Sequence, residues 1–401
     1  MAESAAPAPA PVSAPVAGRA QRGLFQVSAK RRTPPERTKA RTQDSRVHNR
    51  SLVLATLYHE GAMSRSELAR ASGLTAPTIS ALVAELEGDG LVVDIGPRQG
   101  SRVGKPANLV QIDDDATNLV VLDLSHSDRF SGAVVNLRGD VVERAEVPLG
   151  SALGAEASDL VLGLVAELLA LAPRRVLGIG VGSPGIIDDG GVIRHAAHLG
   201  WVDLPLAAQL TERFAVPAHV GNDVNLAALA VLHSRQKGVQ NLMVVAIEHG
   251  VGAGLVVGGE LVEGEQFAAG EIGHVTVEED GDPCVCGRRG CLDPLIDAVR
   301  LRARLERTAE AERPAVLAAA GRALGVVLAP IVSVLNLNDV VLTGPADLIE
   351  GTLLDAVIET ARARTLPAVS ASLRIRSLAG DTDLTLTGGA CLVLSAELGV
   401  L

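Results

Sequence analysis

Residues 270–293, GEIGHVTVEEDGDPCVCGRRGCLD, gather three of the chain's four cysteines and one histidine into a short segment. Three thiolates and one imidazole form a complete tetrahedral ligand set for zinc and leave no position for water, which is typical of a structural metal site. Gly287 and Gly290 allow turns tight enough to aim the thiols at one centre. Free thiols and a disulfide are the alternatives, but an odd number of cysteines argues against a disulfide framework. We therefore predict a structural Zn²⁺ site with these ligands: His274, Cys284, Cys286 and Cys291.

The same segment resembles the signature of a known family. The run CVCGRRGCLD at 284–293, preceded by EIGH at 271–274, is similar to the signature of the ROK family of repressors, open reading frames and kinases. The usual signature ends in Glu, whereas this chain has Asp293. The resemblance covers about residues 115–401. It implies the actin-like, sugar-kinase-like fold on which this family builds bacterial sugar kinases and sugar-responsive repressors.

The composition restricts the classes of partner. The net charge of -11 leaves no general basic surface, so any contact with nucleic acid must be local. Clustered cysteines without a disulfide framework indicate a reducing cytoplasm. The first residues, MAESAAPAPAPVSAPVAG, lack the basic and aliphatic regions of a secretory signal. No apolar run predicts a membrane span. We expect a cytoplasmic, nucleoid-associated protein.

Residues 1–44 and 45–112 are predicted to be a disordered tail and a winged helix-turn-helix domain. The tail is Ala/Pro-rich and then basic, which suits either a solvated segment or a weak contact with DNA phosphates. In the domain, Ser64-Arg-Ser-Glu67 forms a capping box before a second helix, which ends at Gly73. Thr75 then caps a third helix. Two short helices joined by a glycine-containing turn are typical of a helix-turn-helix.

Two sets of residues in this domain are candidate DNA contacts. Hydroxyls at the start of the third helix lie where a recognition helix meets base edges. Cations at the tip of the hairpin that follows can enter a narrow minor groove. The alternative is a dimerisation or scaffold module without DNA contacts. The predicted DNA-binding residues are Thr75, Thr78, Ser80, Arg98, Arg102 and Lys105.

Strands and helices alternate from about residue 117 to the end. A buried strand at 118–125, a hairpin around Arg138, a helix at 157–172 and a strand at 175–182 resemble the first lobe of the actin/sugar-kinase fold. The strand at 241–248 begins a second lobe of the same kind. We therefore predict an α/β protein: a winged helix-turn-helix, then a two-lobed, ribonuclease H-like ROK domain at 115–401.

The cleft between such lobes is the expected ligand site. Asn222 and Asp223 follow a strand and precede a helix, where a carboxylate can accept a hydrogen bond from a hydroxyl. A helix cap is the alternative for this pair. The resemblance implies sugar contacts, and Asp223 matches the general base of the family's kinases. His198 stands where family members often have Asn, which leaves the sugar's identity open. The predicted sugar-binding residues are Asn222, Asp223, Glu271, His274 and Asp293.

The nucleotide side departs from the kinase pattern. Kinases of this fold carry Asp-x-Gly-x-Thr after the first strand, whereas this chain has Asp123-Leu-Ser125-His-Ser127. Glycine is needed there so that backbone N–H groups can approach a phosphate. The second loop usually begins Gly-Thr-Gly, but here Glu248 places a negative charge beside the expected phosphates. We interpret the ATP site as degraded and assign no catalytic residue.

These features together predict a sugar-responsive transcriptional regulator, most simply a repressor of carbohydrate genes. The expected partners are a double-stranded DNA operator and a sugar or sugar phosphate, with no membrane. A homodimer or a dimer of dimers suits paired half-sites. An ATP-dependent sugar kinase is the first alternative. A regulator that senses zinc or a partner protein is the second, although it leaves the pocket residues unexplained.

Overall fold

A computed structural model describes residues 42–97, 107–234, 239–379 and 383–401. The chain divides into two units, Met1–Val47 and His48–Leu401. Of the first unit, the structure describes the beginning of the first helix, which starts inside the segment assigned to the tail. The second unit contains the winged helix and the α/β domain.

The winged helix forms from local signals that the sequence displays. Ser64 accepts a hydrogen bond from the Glu67 backbone N–H while the Glu67 side chain accepts one from that of Ser64, which completes the predicted capping box. Gly73 ends the second helix in the left-handed conformation, and Thr75 caps the third. The elements are α1 (Thr42–Glu60), β1 (Met63–Ser64), α2 (Arg65–Ser72), α3 (Ala76–Gly88), β2 (Val92–Pro97) and β3 (Asn108–Ile112). Strands β2 and β3 pair antiparallel as the predicted wing.

The first lobe follows directly. Its strands are β4 (Asn118–Asp123), β5 (Arg129–Val135), β6 (Val141–Pro148), β7 (Val176–Ser183), β8 (Ile186–Ile187), β9 (Ile193–Ala196), β10 (Trp201–Leu204) and β11 (Ala218–Asn222). Its helices are α4 (Ala155–Leu171), α5 (Leu206–Phe214) and α6 (Asp223–His233), with a 3-10 helix at Ala197–Leu199. In its main sheet the strand order is β11-β7-β4-β5-β6. A second, small sheet has the strand order β10-β9-β8.

The second lobe repeats this plan. Its strands are β12 (Leu242–Ile247), β13 (Val251–Val257), β14 (Glu260–Leu261), β15 (Asp339–Gly344) and β16 (Arg374–Ala379). Its helices are α7 (Asp293–Ile296), α8 (Ala298–Glu306), α9 (Arg313–Leu335), α10 (Ala346–Ile349), α11 (Thr352–Arg364) and α12 (Pro367–Ser370). Short 3-10 helices lie at Ile272–His274 and Glu310–Glu312. The strand order β14-β13-β12-β15-β16, with two antiparallel and two parallel pairings, reproduces that of the first lobe. The predicted structural repeat is confirmed.

The final helix, α13 (Leu384–Leu398), returns to the first lobe and joins it to the winged helix. Buried side chains of α1, α3, β4, β5 and α13 form one continuous apolar cluster. On its other side α13 packs along α6, and α6 in turn packs against β12 and β13 of the second lobe. Because hydrophobic cores are close-packed, α6 and α13 form a continuous path of packed side chains from the second lobe to the winged helix.

Helix α9 lies in the segment Glu310–Leu335, which among the described residues is long and apolar enough to cross a membrane. Leu324, Leu328 and Val332 of this helix are fully buried in the core of the second lobe. A core helix of a folded domain passes the same test of length and composition.

Gly388 provides a test of the α6–α13 contact. A Cβ there would collide with the carbonyl oxygen of Leu226 in α6, whereas exposed Gly163 of α4 has open space around it. Gly388→Ala should therefore destabilise the protein by about 1–3 kcal/mol through overpacking. Gly163→Ala, the matched control, should be neutral or stabilise by up to about 1 kcal/mol. Thermal denaturation of both variants measures the difference, and equal melting temperatures would contradict the contact.

Candidate functional site

The four predicted metal ligands converge at the edge of the second lobe. Their ligand atoms all lie within 4.8 Å of one another, and no other such group of three or more occurs among the residues described. The Cys284 Sγ lies 3.4 Å from His274 Nδ1, and Cys286 Sγ lies 3.6 Å from Cys291 Sγ. A tetrahedral zinc site separates neighbouring ligand atoms by about 3.5–3.8 Å. The cluster therefore has the dimensions to bind a metal ion.

The backbone around the cluster is shaped by tight turns. Gly287 and Gly290 both have positive φ, as predicted for the turns of this segment. A Cβ at Gly290 would collide with the carbonyl oxygen of Glu278. The Arg288 guanidinium donates to the carbonyl oxygen of His274. Hydrogen bonds with Arg288, and then with the thiols of Cys284 and Cys291, lower the pKa of Cys286 to about 6, whereas burial raises the pKa of Cys291 to about 12. A lowered pKa favours the thiolate, which is the form that binds metal.

Asn222 and Asp223 lie at the junction of β11 and α6. Asn222 Oδ1 accepts hydrogen bonds from the backbone N–H groups of Val224 and Asn225. Its Nδ2 donates to the carbonyl oxygen of Gly185 and to Asp223 Oδ1. Asn222 is therefore the helix cap that the sequence left as an alternative. It also fixes the orientation of the Asp223 carboxylate.

Asp223 is an unusually basic carboxylate. Its pKa is raised to about 7, first by burial and then by the nearby negative charges of Asp123 and Glu271. Hydrogen bonding to the backbone N–H of Val224 opposes the shift but does not cancel it. Asp123 ends β4 of the first lobe, whereas Glu271 belongs to the second. Asp223 therefore lies between acidic groups from both lobes.

Glu271 and Asp293 lie close to the metal-ligand cluster, to which His274 itself belongs. The His274 Nε2 lies 4.0 Å from the Glu271 carboxylate, while its Nδ1 faces the thiols. Asp293 is 7% exposed and accepts a hydrogen bond of 2.8 Å from the Val251 backbone N–H. One ring nitrogen of His274 thus points to the thiols, and the other points to the Glu271 carboxylate.

In the two loops that follow β4 and β12, polar groups are hydrogen-bonded to other groups of the same loop. Asp123 is buried, and its Oδ1 accepts from both the backbone N–H and the hydroxyl of Ser125. Glu248 has a raised pKa, chiefly because of burial and also because of Asp123, while His126 lowers it. The histidines His126 and His249 were not predicted to belong to this site. Their only sequence signal is their position within the two loops.

The hydroxyls of the candidate recognition helix lie on its first turns. Thr75 and Ser80 are exposed, and Thr78 is partly exposed. Thr75 Oγ1 and Thr78 Oγ1 lie 2.9 Å apart, and Ser80 Oγ donates to the carbonyl oxygen of Ala76. The three predicted cations of the wing lie outside the described residues: Arg98, Arg102 and Lys105. The DNA contacts remain predictions.

Two family models match the sequence. The model described as the MarR family matches residues 48–93, which include α2 and α3. The model described as the ROK family matches residues 127–395 and includes the cleft and the metal-ligand cluster. The chain belongs to the ROK family. The resemblance inferred from the segment 270–293 is confirmed.

Relatives in this ROK family include proteins named as repressors. The xylose repressor of Caldicellulosiruptor bescii is 31% identical to this chain in the matched region. That region is 61% of this chain and 62% of the relative's length. The DNA-binding transcriptional repressor Mlc of Escherichia coli is 24% identical over 85% of this chain and 92% of its own length. The solved structure of a ROK family transcriptional regulator, a homolog of E. coli Mlc, has a TM-score of 0.77 and 22% identity, covering 89% of this chain and 98% of its own. The predicted fold, a winged helix before a two-lobed α/β domain, is confirmed.

Metal content tests the cluster directly. We expect the full-length protein to retain about one metal ion per chain, and Cys286→Ala to lose it because three ligands hold a metal far less tightly than four. Cys391 lies buried in α13, outside the cluster, and Cys391→Ala is the matched control that should keep the ion. Elemental analysis of freshly purified protein measures the ratio. A metal-free wild type, or a full complement in Cys286→Ala, would contradict the assignment.

Proposed function

We propose that this protein is a DNA-binding transcriptional regulator that responds to a sugar and represses genes for carbohydrate uptake or catabolism. The observation that carries the proposal is a winged helix that shares one hydrophobic core with α13, which packs along the helix that starts at Asp223. A ligand bound at Asp223 would therefore touch α6, whose neighbour α13 packs against the winged helix. The repressor relatives support the same function.

In the proposed complex the sugar lies in the cleft between the lobes. Asp223 accepts a hydrogen bond from a sugar hydroxyl, and Asn222 holds that carboxylate in place. Glu271 and Asp293 accept further hydroxyl hydrogen bonds. His274 binds the metal through Nδ1 and offers its Nε2–H to a sugar oxygen, which is how a metal-bound imidazole commonly uses its second nitrogen. None of these residues performs chemistry in this role.

The proposed metal is Zn²⁺ in a structural role. Three thiolates and one imidazole suit zinc better than calcium or magnesium, which prefer oxygen ligands. The ligands are contributed by one short segment, so the ion would hold the loops of 270–293 together. When bound, zinc supplies this crosslink. Zinc binding would also fix the orientation of the His274 ring, whose Nε2 faces Glu271.

The DNA-binding surface is proposed to be the start of α3 together with the wing. Thr75, Thr78 and Ser80 can reach base edges in the major groove, although hydroxyls alone are not selective. A single winged helix covers one half-site, so a homodimer or a dimer of dimers is proposed to bind a two-fold symmetric operator. Such a protein would work in the cytoplasm, associated with the nucleoid.

An ATP-dependent sugar kinase is the rival function, and Asp223 is the observation that favours it. The two phosphate loops argue against it. Ser125 adds a side chain where a phosphate would need backbone N–H groups, and it ties down Asp123. Glu248 places a second acid beside it. We propose that the fold retains the sugar half of the site without the phosphoryl-transfer half.

The pKa of Asp223 predicts how sugar binding depends on pH. The carboxylate is a stronger acceptor than the carboxylic acid, so binding requires the ionised form. Since burial raises the pKa of Asp223 to about 7, affinity should rise as pH increases through this value. A site with this pKa binds about tenfold more weakly at pH 6 than at pH 8. Calorimetric titration should show this trend in the wild type but a much flatter one in Asp223→Asn. An affinity that falls with rising pH would contradict the assigned role.

A DNA-binding titration with increasing sugar tests the whole proposal. Losing a charge-assisted hydrogen bond costs about 1.5–3 kcal/mol, so Asp223→Ala should require more than about tenfold more sugar for release from the operator. Asp159→Ala, which removes an exposed carboxylate of α4, is the control and should behave like the wild type. A ligand shifts DNA affinity only by its differential affinity for two conformations. If wild type and Asp223→Ala release DNA at the same sugar concentration, Asp223 lies outside the effector site.

A further inference from the structure

One cysteine of the metal-ligand cluster lies at an exposed loop tip. Residues 285–289 are all exposed, and Cys286 is in the middle of this tip. Cys284, in contrast, is 7% exposed, and Cys291 is fully buried. The fourth cysteine of the chain, Cys391, is buried in α13. A small reactive molecule dissolved in water therefore meets the sulfur of Cys286 before it meets the other three thiols.

Cys286 has a second thiol within reach. Its Sγ lies 3.6 Å from the Sγ of Cys291, so the two sulfur atoms need to approach by roughly 1.5 Å to form a disulfide bond. Gly287 and Gly290 lie between the two cysteines, and their positive φ angles already turn this loop back on itself. A disulfide between Cys284 and Cys286 would instead close a ring around a single residue, which restricts the dihedral angle that the bond prefers. The geometry therefore favours Cys291 as the partner of Cys286.

We propose that Cys286 is a site of oxidation by hydrogen peroxide, and that its oxidation releases the proposed zinc ion. The Cys286 thiolate attacks one peroxide oxygen, the O–O bond breaks, hydroxide leaves, and Cys286 becomes a sulfenic acid. The Cys291 thiolate then attacks the Cys286 sulfur, and the S–O bond breaks as a second hydroxide leaves. Peroxide gains two electrons in total, and the two thiolates lose two electrons and form one disulfide. Zinc keeps its charge throughout, because it has no redox chemistry.

The disulfide removes two of the four metal ligands. His274 and Cys284 remain, and two ligands hold zinc far less tightly than four. Once the ion is lost, His274 Nδ1 is no longer bound, so the direction of Nε2–H toward Glu271 is no longer fixed. Oxidation at the loop tip would therefore alter the proposed sugar contact without touching the sugar. This inference rests on the proposed zinc site, but on neither the identity of the sugar nor that of the DNA.

Peroxide treatment of the full-length protein tests the proposal, after its metal content has been measured. A metal-free starting protein would overturn the zinc assignment, and this proposal with it. With zinc present, a small molar excess of hydrogen peroxide should release about one zinc ion per chain to a coloured chelator and remove about two thiols. Peptide mass mapping should locate the new disulfide between Cys286 and Cys291. Dithiothreitol and added zinc should restore both counts, because a disulfide is reducible whereas a sulfinic acid is not.

Two variants assign the reaction to this pair of cysteines. Cys391→Ala removes the buried thiol outside the cluster and should lose zinc and thiols at the wild-type rate. Cys286→His offers a nitrogen ligand at the loop tip but no sulfur to oxidise, so its thiols should be lost at least about tenfold more slowly, whether or not it retains zinc. Zinc that stays bound in the oxidised wild type, a disulfide that includes Cys284 or Cys391, or an unchanged rate in Cys286→His would overturn the proposal.

Discussion

The close approach of α13 to α6 is the contact on which the connection between cleft and winged helix depends. Gly388 allows the two backbones to touch, because a side chain there would overlap the Leu226 carbonyl. Helix α6 starts at Asp223, and α13 ends where Gly399 packs against Ser51 and the Val400 carbonyl lies 3.0 Å from His59 Nε2 of α1. Packed helices of this kind can shift as rigid bodies, and no flexible linker separates α6 and α13 from α1, which is the basis of the proposed coupling.

Much of this structure could be predicted from short-range sequence signals. The capping box at Ser64, the caps at Gly73 and Thr75, and the metal-ligand segment 270–293 depend on residues a few positions apart, and each formed as expected. The docking of the winged helix could not be predicted. Arg138 was identified only as part of a hairpin turn, yet its guanidinium donates to the Tyr58 carbonyl and stacks on the Tyr58 ring at 4.5 Å. Contacts between residues this far apart in sequence leave no local pattern.

The Asn222 side chain shows why one alternative need not exclude another. The sequence offered a helix cap or a ligand contact for Asn222 and Asp223, and the structure shows that Asn222 performs the capping role while it holds the Asp223 carboxylate. A capping side chain is fixed by two backbone donors, so it can orient its neighbour at little further entropic cost. Asp223 is therefore the member of the pair that we propose as the ligand contact. Its raised pKa comes first from burial and then from the charges of Asp123 and Glu271, one acid from each lobe, which only the folded chain brings together.

The His274 ring connects the metal-ligand cluster to the acidic cleft. Its two nitrogens point in opposite directions, with Nδ1 3.4 Å from the Cys284 thiol and Nε2 4.0 Å from the Glu271 carboxylate. Because the ring is rigid, fixing Nδ1 on a metal also fixes the direction and the tautomer of Nε2–H. The same ion would hold the turns at Gly287 and Gly290, while Ile272 and Leu292, which adjoin the two acids in sequence, pack in the core of the second lobe. A structural metal in this position would therefore contribute to ligand specificity by fixing the direction of the Nε2–H bond.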